Sequence, residues 1–311
     1  MLVMFAMSTV YANPREAQAL TVSRSLATDV ERVSPESTSS YTYSLTDTVK
    51  MDNTTANNNA DDSSSSKEKT ATSTKTGAEE SVSKTSNETK NGKVVLASGT
   101  KYATNMYIIR SNKPGPVVMI VGGVHGNETA GYKAAAAVKD YSIKRGTLLV
   151  IPEANKLAVA QHRRSAKGGS NLNRAFPQSS SQSADTTLAK AIYSAVKKYD
   201  VDWLMDMHEG YDYAKNKSTS SVGQSLIYYP NSATKKVAGT IVSKLNRNIS
   251  SSYKQFSLLR YPVKGSLARS TAQYLGVNSF IFETCSKQTL STRVNNQLKA
   301  ANTLLQQLNM K

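Results

Sequence analysis

The stretch that most constrains the fold is PVVMIV at 116–121, which runs straight into Gly122-Gly123-Val124-His125-Gly126-Asn127-Glu128. A strand with one wet face alternates apolar and polar residues, whereas an unbroken apolar run needs cover on both faces, as in a buried parallel sheet. The glycines that follow let the backbone turn sharply out of the strand. From Lys93 onward, similar strand-like blocks at 94–97, 105–110, 147–151 and 202–207 alternate with helix-like blocks at 129–141 and 184–199. The blocks 225–229, 233–248, 271–275, 279–282 and 290–308 continue the alternation, and 152–183 reads as one long polar loop. Repeated strand–helix units predict an α/β domain over 93–311 with a mixed, mostly parallel sheet.

The N-terminal part of the chain has little to offer such a core. Large aliphatic and aromatic residues almost vanish after Met51, and 40–92 is dominated by Ser, Thr, Asn, Lys and Glu, so 13–92 is expected to be a disordered linker. Ahead of it, 1–12 (MLVMFAMSTVYA) is short and apolar and ends in Val10-Tyr11-Ala12, with small residues where signal peptidase selects them. A truncated signal segment is therefore expected, and with it a secreted or envelope-associated protein; without a working signal the protein stays cytoplasmic. No other stretch is apolar enough over about 18 residues to be a transmembrane segment.

Charge divides along the same boundary. Residues 13–92 hold nine basic and twelve acidic side chains, and 93–311 hold thirty and ten, so the folded part carries +20 against +17 for the whole chain. A surface of that sign favours anionic partners, cell-wall polymers among them, although scattered lysines also serve solubility. A nucleic-acid partner is not expected, because no basic stripe is interleaved with aromatic residues. The lone Cys285 rules out an intramolecular disulfide, cysteine-based zinc fingers and iron–sulfur clusters, and reads as a small buried residue.

Ligands of open α/β sheets bind beyond the C-terminal strand ends, and three segments fall there. His125 and Glu128, three apart in the turn after 116–121, are placed to face one ion. His208, in Asp206-Met207-His208-Glu209-Gly210, offers a third ligand from a separate segment, with Asp206 placed to orient it. Two of the chain's three histidines thus sit at strand exits, and His162 reads as a solvated loop residue. Glu283 ends the apolar run before Thr284, a costly position for a carboxylate without a task, and general base is one such task. In the long loop, Asn173 and Arg174 offer an amide and a planar fork for a substrate carboxylate, and Arg163 or Arg164 supplies a cation for an oxyanion.

Taken in order, G-G-x-H-G-N-E, N-L-N-R-A-F-P, D-M-H-E and a late F-E-T resemble the zinc carboxypeptidase superfamily, and within it the succinylglutamate desuccinylase/aspartoacylase branch. The resemblance spans about 120–285. It implies a three-layer α/β/α, phosphorylase/hydrolase-like fold and one zinc ion (Zn2+) per chain, held by His125, Glu128 and His208. It further implies Glu283 as base, Asn173 and Arg174 as carboxylate clamp, and Arg164 as the catalytic arginine, with Arg163 as fallback. Asn171 departs from the aspartate that many relatives carry before L-N-R. No tyrosine matches the peptidases' mobile substrate-binding tyrosine; Tyr211, Tyr213 and Tyr261 are unranked candidates. Glu209-Gly210 after the histidine is similar to relatives that trim peptidoglycan stem peptides.

The expected activity is zinc-dependent hydrolysis of an amide bond near a free carboxylate, in a short peptide of the cell wall or in a small-molecule N-acyl amino acid. A non-catalytic cationic protein that binds wall polymers is the alternative of another class. The zinc reading requires the imidazoles of His125 and His208 to lie within about 6 Å, the span that ~2 Å metal–nitrogen bonds allow.

Overall fold

The computed structural model describes residues 91–311; the expected signal segment at 1–12 and nearly all of the expected linker at 13–92 lie outside the described residues. Among the described residues there are eight strands: β1 (Gly92–Leu96), β2 (Thr104–Arg110), β3 (Val117–Val121), β4 (Thr147–Ile151), β5 (Trp203–Gly210), β6 (Ser225–Tyr228), β7 (Ser257–Arg260) and β8 (Asn278–Cys285). They form one sheet in the order β1-β2-β4-β3-β5-β8-β6-β7. The centre is parallel, through β4/β3, β3/β5 and β5/β8, as is the edge pair β6/β7; β1/β2, β2/β4 and β6/β8 are antiparallel.

The unbroken apolar run behaves as its composition requires. Val118 and Ile120 enter one core, while Met119 and Val121 enter the other, all fully buried. Strand side chains alternate between faces, so two cores sandwich the sheet. One face is covered by α1 (Thr129–Val138), α4 (Ser232–Asn246) and α6 (Leu290–Gln307). The other is covered by α3 (Thr187–Lys198) and the start of α5 (Leu267–Leu275). The architecture is the three-layer α/β/α sandwich with a mixed, mostly parallel sheet that the sequence predicts. No helix among the described residues is long and apolar enough to cross a membrane.

The long polar loop is not uniform. It contains a short helix, α2 (Lys156–Ala160), whose Asn155 accepts a hydrogen bond from the Ala158 N–H, and a 3-10 turn at Leu172–Arg174 capped in the same way by Asn171. Five residues are too few to show helical periodicity, which is why the helix was illegible in the sequence. The edge strand β7 escaped for the same reason.

The topology opens a crevice at one end of the sheet. β4 and β5 flank β3 on opposite sides, so the connections leaving their C-terminal ends diverge there. Two glycines shape the exit from β3. Gly123 adopts φ +69°, a left-handed conformation that side chains resist, and Gly126 lies so close to α2 that an added Cβ would sit 2.0 Å from the Ala158 carbonyl.

Candidate active site

His125 and Glu128 leave the β3 exit together, and Glu128 occupies the N-cap position of α1 without using its side chain as a cap. Its carboxylate instead faces both imidazoles. Oε1 lies 2.7 Å from His125 Nδ1, and Oε2 lies 2.7 Å from His208 Nδ1. The two rings are 4.9 Å apart between centroids, at 66°, inside the span that a shared ion demands. Donor atoms of His125, Glu128 and His208, all buried, lie within 4.8 Å of one another.

The outward nitrogens are held from behind. Asn171 Oδ1 accepts from His125 Nε2 at 2.9 Å, and Asp206 Oδ2 stands 3.0 Å from His208 Nε2. Acceptors on the far nitrogens fix each ring with Nδ1 inward, as second-shell partners of metal-ligating histidines do. Asn171 thus does with a neutral amide what a carboxylate does for His208. Asp206 is fully buried and neither of its oxygens has an aligned hydrogen-bond donor. Such a carboxylate is costly unless opposite charge stands close, and here the imidazole supplies it. Two imidazoles whose far nitrogens each face an oxygen, with a carboxylate between the rings, are a donor set suited to zinc.

Electrostatics follow from this packing. Burial pushes the Glu128 carboxyl up, but His208 and His125 outweigh it and hold the group well below the usual carboxylate range. Burial likewise works against an imidazolium at His208, but the Asp206 and Glu128 carboxylates overcome it and raise His208 well above its ordinary value.

β5 and β8 pair in parallel with His208 level with Glu283, so both side chains emerge on the same face of the sheet. Glu283 is pushed up to about 8, first by burial; Glu128 and Asp206 add to the rise, while His208 and Arg164 oppose it. Arg164 donates to Glu128 Oε1 at 3.0 Å with half its side chain exposed. Arg163 is exposed and lies outside the cleft lining, its carbonyl accepting from the Gly126 N–H at 2.9 Å.

Asn173 is buried, with Oδ1 accepting from the Leu267 N–H at 3.1 Å and Nδ2 3.4 Å from His208 Nε2. Arg174 is exposed at the cleft wall and donates to the Asn173 carbonyl at 2.7 Å, and burial together with Arg164 lowers its pKa. These groups share a cleft of about 990 Å³ with His125, Glu128, His208 and Glu283. Of the three tyrosines, Tyr211 and Tyr261 line the cleft, whereas Tyr213 is buried against Tyr253. Cys285 is buried, as expected of a small core residue.

Sequence reasoning missed the brace behind His208. Glu209 is buried; its N–H donates to Glu128 Oε2 at 3.1 Å, and its Oε1 takes the Ala130 N–H of α1 at 2.7 Å. Its other oxygen meets Arg293 of α6, and Gln297 on the same helix donates to the His208 carbonyl at 2.8 Å. The signal was present in Glu209, a carboxylate on a strand buried along its whole length; its partners lie 75 to 84 residues away and left no local trace.

The order and spacing of these segments can be set against known proteins. Residues 114–225 match the succinylglutamate desuccinylase/aspartoacylase catalytic domain. That segment carries both histidines, Glu128, Asn173 and Arg174, and the resemblance read from the motifs is thereby shown. No curated protein matches the sequence. Among solved structures, product-bound Cell Shape Determinant protein Csd4 from Helicobacter pylori superposes with a TM-score of 0.58 at 19% identity, over 67% of this chain and 56% of that one. The chain therefore spans little more than half the length of Csd4. The mDAP-bound form of Csd4, described as a D,L-carboxypeptidase, gives 0.54 at 20% identity over 63% and 52%. A succinylglutamate desuccinylase/aspartoacylase from Rhodobacter sphaeroides gives 0.52 at 17% identity over 71% and 67%. At these identities the likeness is one of fold.

Proposed function

We propose that this chain is a zinc-dependent hydrolase of the metallocarboxypeptidase/deacylase type, cleaving an amide bond beside a free carboxylate in a short wall peptide. The observation that carries the reading is the meeting, in one cleft, of the His125–Glu128–His208 donor set with the buried carboxyl of Glu283 and the guanidinium of Arg164. His125, Glu128 and His208 would hold one zinc ion, which when bound would supply Lewis acidity towards the carbonyl and the water.

The chain's own groups do the rest. Glu283, whose rise by burial in the metal-free protein a bound cation would oppose, takes a proton from the attacking water on its carboxylate and returns it to the leaving amine. Arg164 turns its N–H groups from Glu128 towards the oxyanion that develops on the substrate. Arg174, beside Asn173, binds the substrate carboxylate through its planar fork. Asn171 and Asp206 keep the imidazoles from turning.

Two observations favour a peptide over a small N-acyl amino acid. The cleft, at about 990 Å³, is at the large end for a small-molecule site, and it carries an apolar wall of Ile227, Leu259 and Ile281 beyond the polar centre. Tripeptide-bound and mDAP-bound structures of Csd4 are consistent with the same reading. Residues 1–12 as an export signal and 13–92 as a tether complete it, delivering the domain at 93–311 to the envelope. The family match keeps deacylation of small N-acyl amino acids as the second reading.

The test is incubation of the wild type and Glu283→Gln with muropeptides and with N-acyl amino acids, read by product masses. Release of a single residue from a muropeptide by the wild type only supports the proposal. Hydrolysis confined to N-acyl amino acids establishes the second reading, and turnover of neither by a zinc-loaded protein refutes both.

A further inference from the structure

Charge on the far C-terminal part of the chain is one-sided. From Asn231 to Lys311 there are twelve lysines and arginines and one acid, Glu283, which is buried in the cleft. Part of this charge gathers on α4, where an open groove of about 830 Å³ runs along the helix to Gln307 at the end of α6. Lys235, Lys236, Lys244 and Arg247 line it, together with the hydroxyl residues Ser232 and Ser243, and all six are exposed. A hollow of about 410 Å³ shares Lys244 and Arg247 and extends the cationic surface to Lys299. No acidic side chain lines either.

Gly239 lies at the middle of this groove, in the interior of a fifteen-residue helix. Glycine there costs about 1 kcal/mol relative to alanine. Packing does not require it, since an added Cβ would meet nothing within 4 Å and its φ is not positive. What the glycine does provide is an open floor between two pairs of cations.

We infer that the α4 groove is a binding site for a linear, hydroxyl-rich polyanion, a chain of phosphodiester-linked polyols or sugars. From Lys236 to Arg247 is eleven residue steps, roughly 16 Å along the helix axis, long enough for an extended chain to meet several cations in succession. Lysines bind phosphate as point charges, and the serine hydroxyls suit a polyol. A bilayer surface fits poorly, because none of the exposed large apolar residues belongs to α4 and interfacial helices need an apolar face. A single-stranded nucleic acid fits poorly as well, because no aromatic side chain lines the groove to stack on a base. The groove shares no residue with the catalytic cleft, so the inference stands independently of the proposed hydrolysis.

The test measures binding of the full chain to poly(glycerol phosphate) at two salt concentrations. Three variants are compared with the wild type: Lys236→Gln/Lys244→Gln/Arg247→Gln; Gly239→Leu, which fills the groove without changing charge; and Lys190→Gln/Lys197→Gln/Lys198→Gln, which removes the same charge from α3 on the opposite face. The expected result is at least a tenfold loss for the α4 triple variant, with a shallower salt dependence, a several-fold loss for Gly239→Leu, and less than twofold for the α3 triple variant. Equal losses from both triple variants, or an unaffected Gly239→Leu, would overturn the assignment. Tighter binding of the wild type to oligo-dT or to phosphatidylglycerol vesicles than to the polymer would also overturn it.

Discussion

Glu283→Gln separates what this buried carboxyl does for chemistry from what it costs the fold. In the metal-free protein the carboxyl is held at about 8 against an ordinary value of 4.5, chiefly by burial. At about 1.4 kcal/mol per pH unit, that difference corresponds to roughly 5 kcal/mol of added cost for ionising the carboxyl in the folded chain rather than in the unfolded one. The sign follows from proton binding: between pH 4.5 and 8 the folded chain keeps a proton that the unfolded chain gives up. Glu283 therefore costs nothing below pH 4.5, and stability is lost progressively as pH rises to about 8. Glutamine keeps the shape and never ionises. Urea unfolding of both proteins in excess chelator should give matching stabilities at pH 4.5 and a growing advantage for the variant, of several kcal/mol by pH 8. Zinc should narrow the gap, because a nearby cation favours the ionised carboxylate. A difference that stays constant within about 1 kcal/mol from pH 5 to 8 would refute the account of Glu283 as a desolvated acid.

Three further outcomes are expected. Arg164→Gln should lower kcat by about 10²–10³ with little change in KM, the cost of one lost oxyanion donor, whereas Arg174→Gln should raise KM, with Arg174→Lys restoring little because the planar fork is lost; steady-state kinetics separates the two. Asp206→Asn should weaken zinc retention by about 10–100-fold, measured by competition with a colorimetric chelator. Gly126→Ala drives a methyl group into the Ala158 carbonyl and should destabilise the fold by roughly 3 kcal/mol or more, seen as a lowered thermal midpoint with the same shift in zinc-free protein.

Long-period features were legible in the sequence, and short or long-range ones were not. PVVMIV announced a strand buried on both faces because nothing in it tolerates water. The His–Glu turn after it pointed to two side chains that would meet, because two polar residues of ion-binding type sat where an apolar strand ends. α2 and β7 stayed hidden because five and four residues carry no period. The part played by Asn171 stayed open because a neutral amide before L-N-R says nothing about which ring it will meet. Arg293 and Gln297 were invisible as site residues, since on an amphipathic helix they read as ordinary surface polar positions. Adjacency alone did not say which loop arginine turns inward, and only the family resemblance put Arg164 ahead of Arg163; the fold presents Arg164 to Glu128 and leaves Arg163 at the surface.

His125, Glu128 and His208 all precede residue 209 in the chain, yet two of the groups that brace them come from α6, at 293 and 297. Until that helix docks, the Glu209 carboxylate has no guanidinium and the His208 carbonyl has no amide donor from Gln297. The three donors and the two groups that back them are thus supplied by segments more than 80 residues apart, and a chain cut before α6 would carry the donors without their backing.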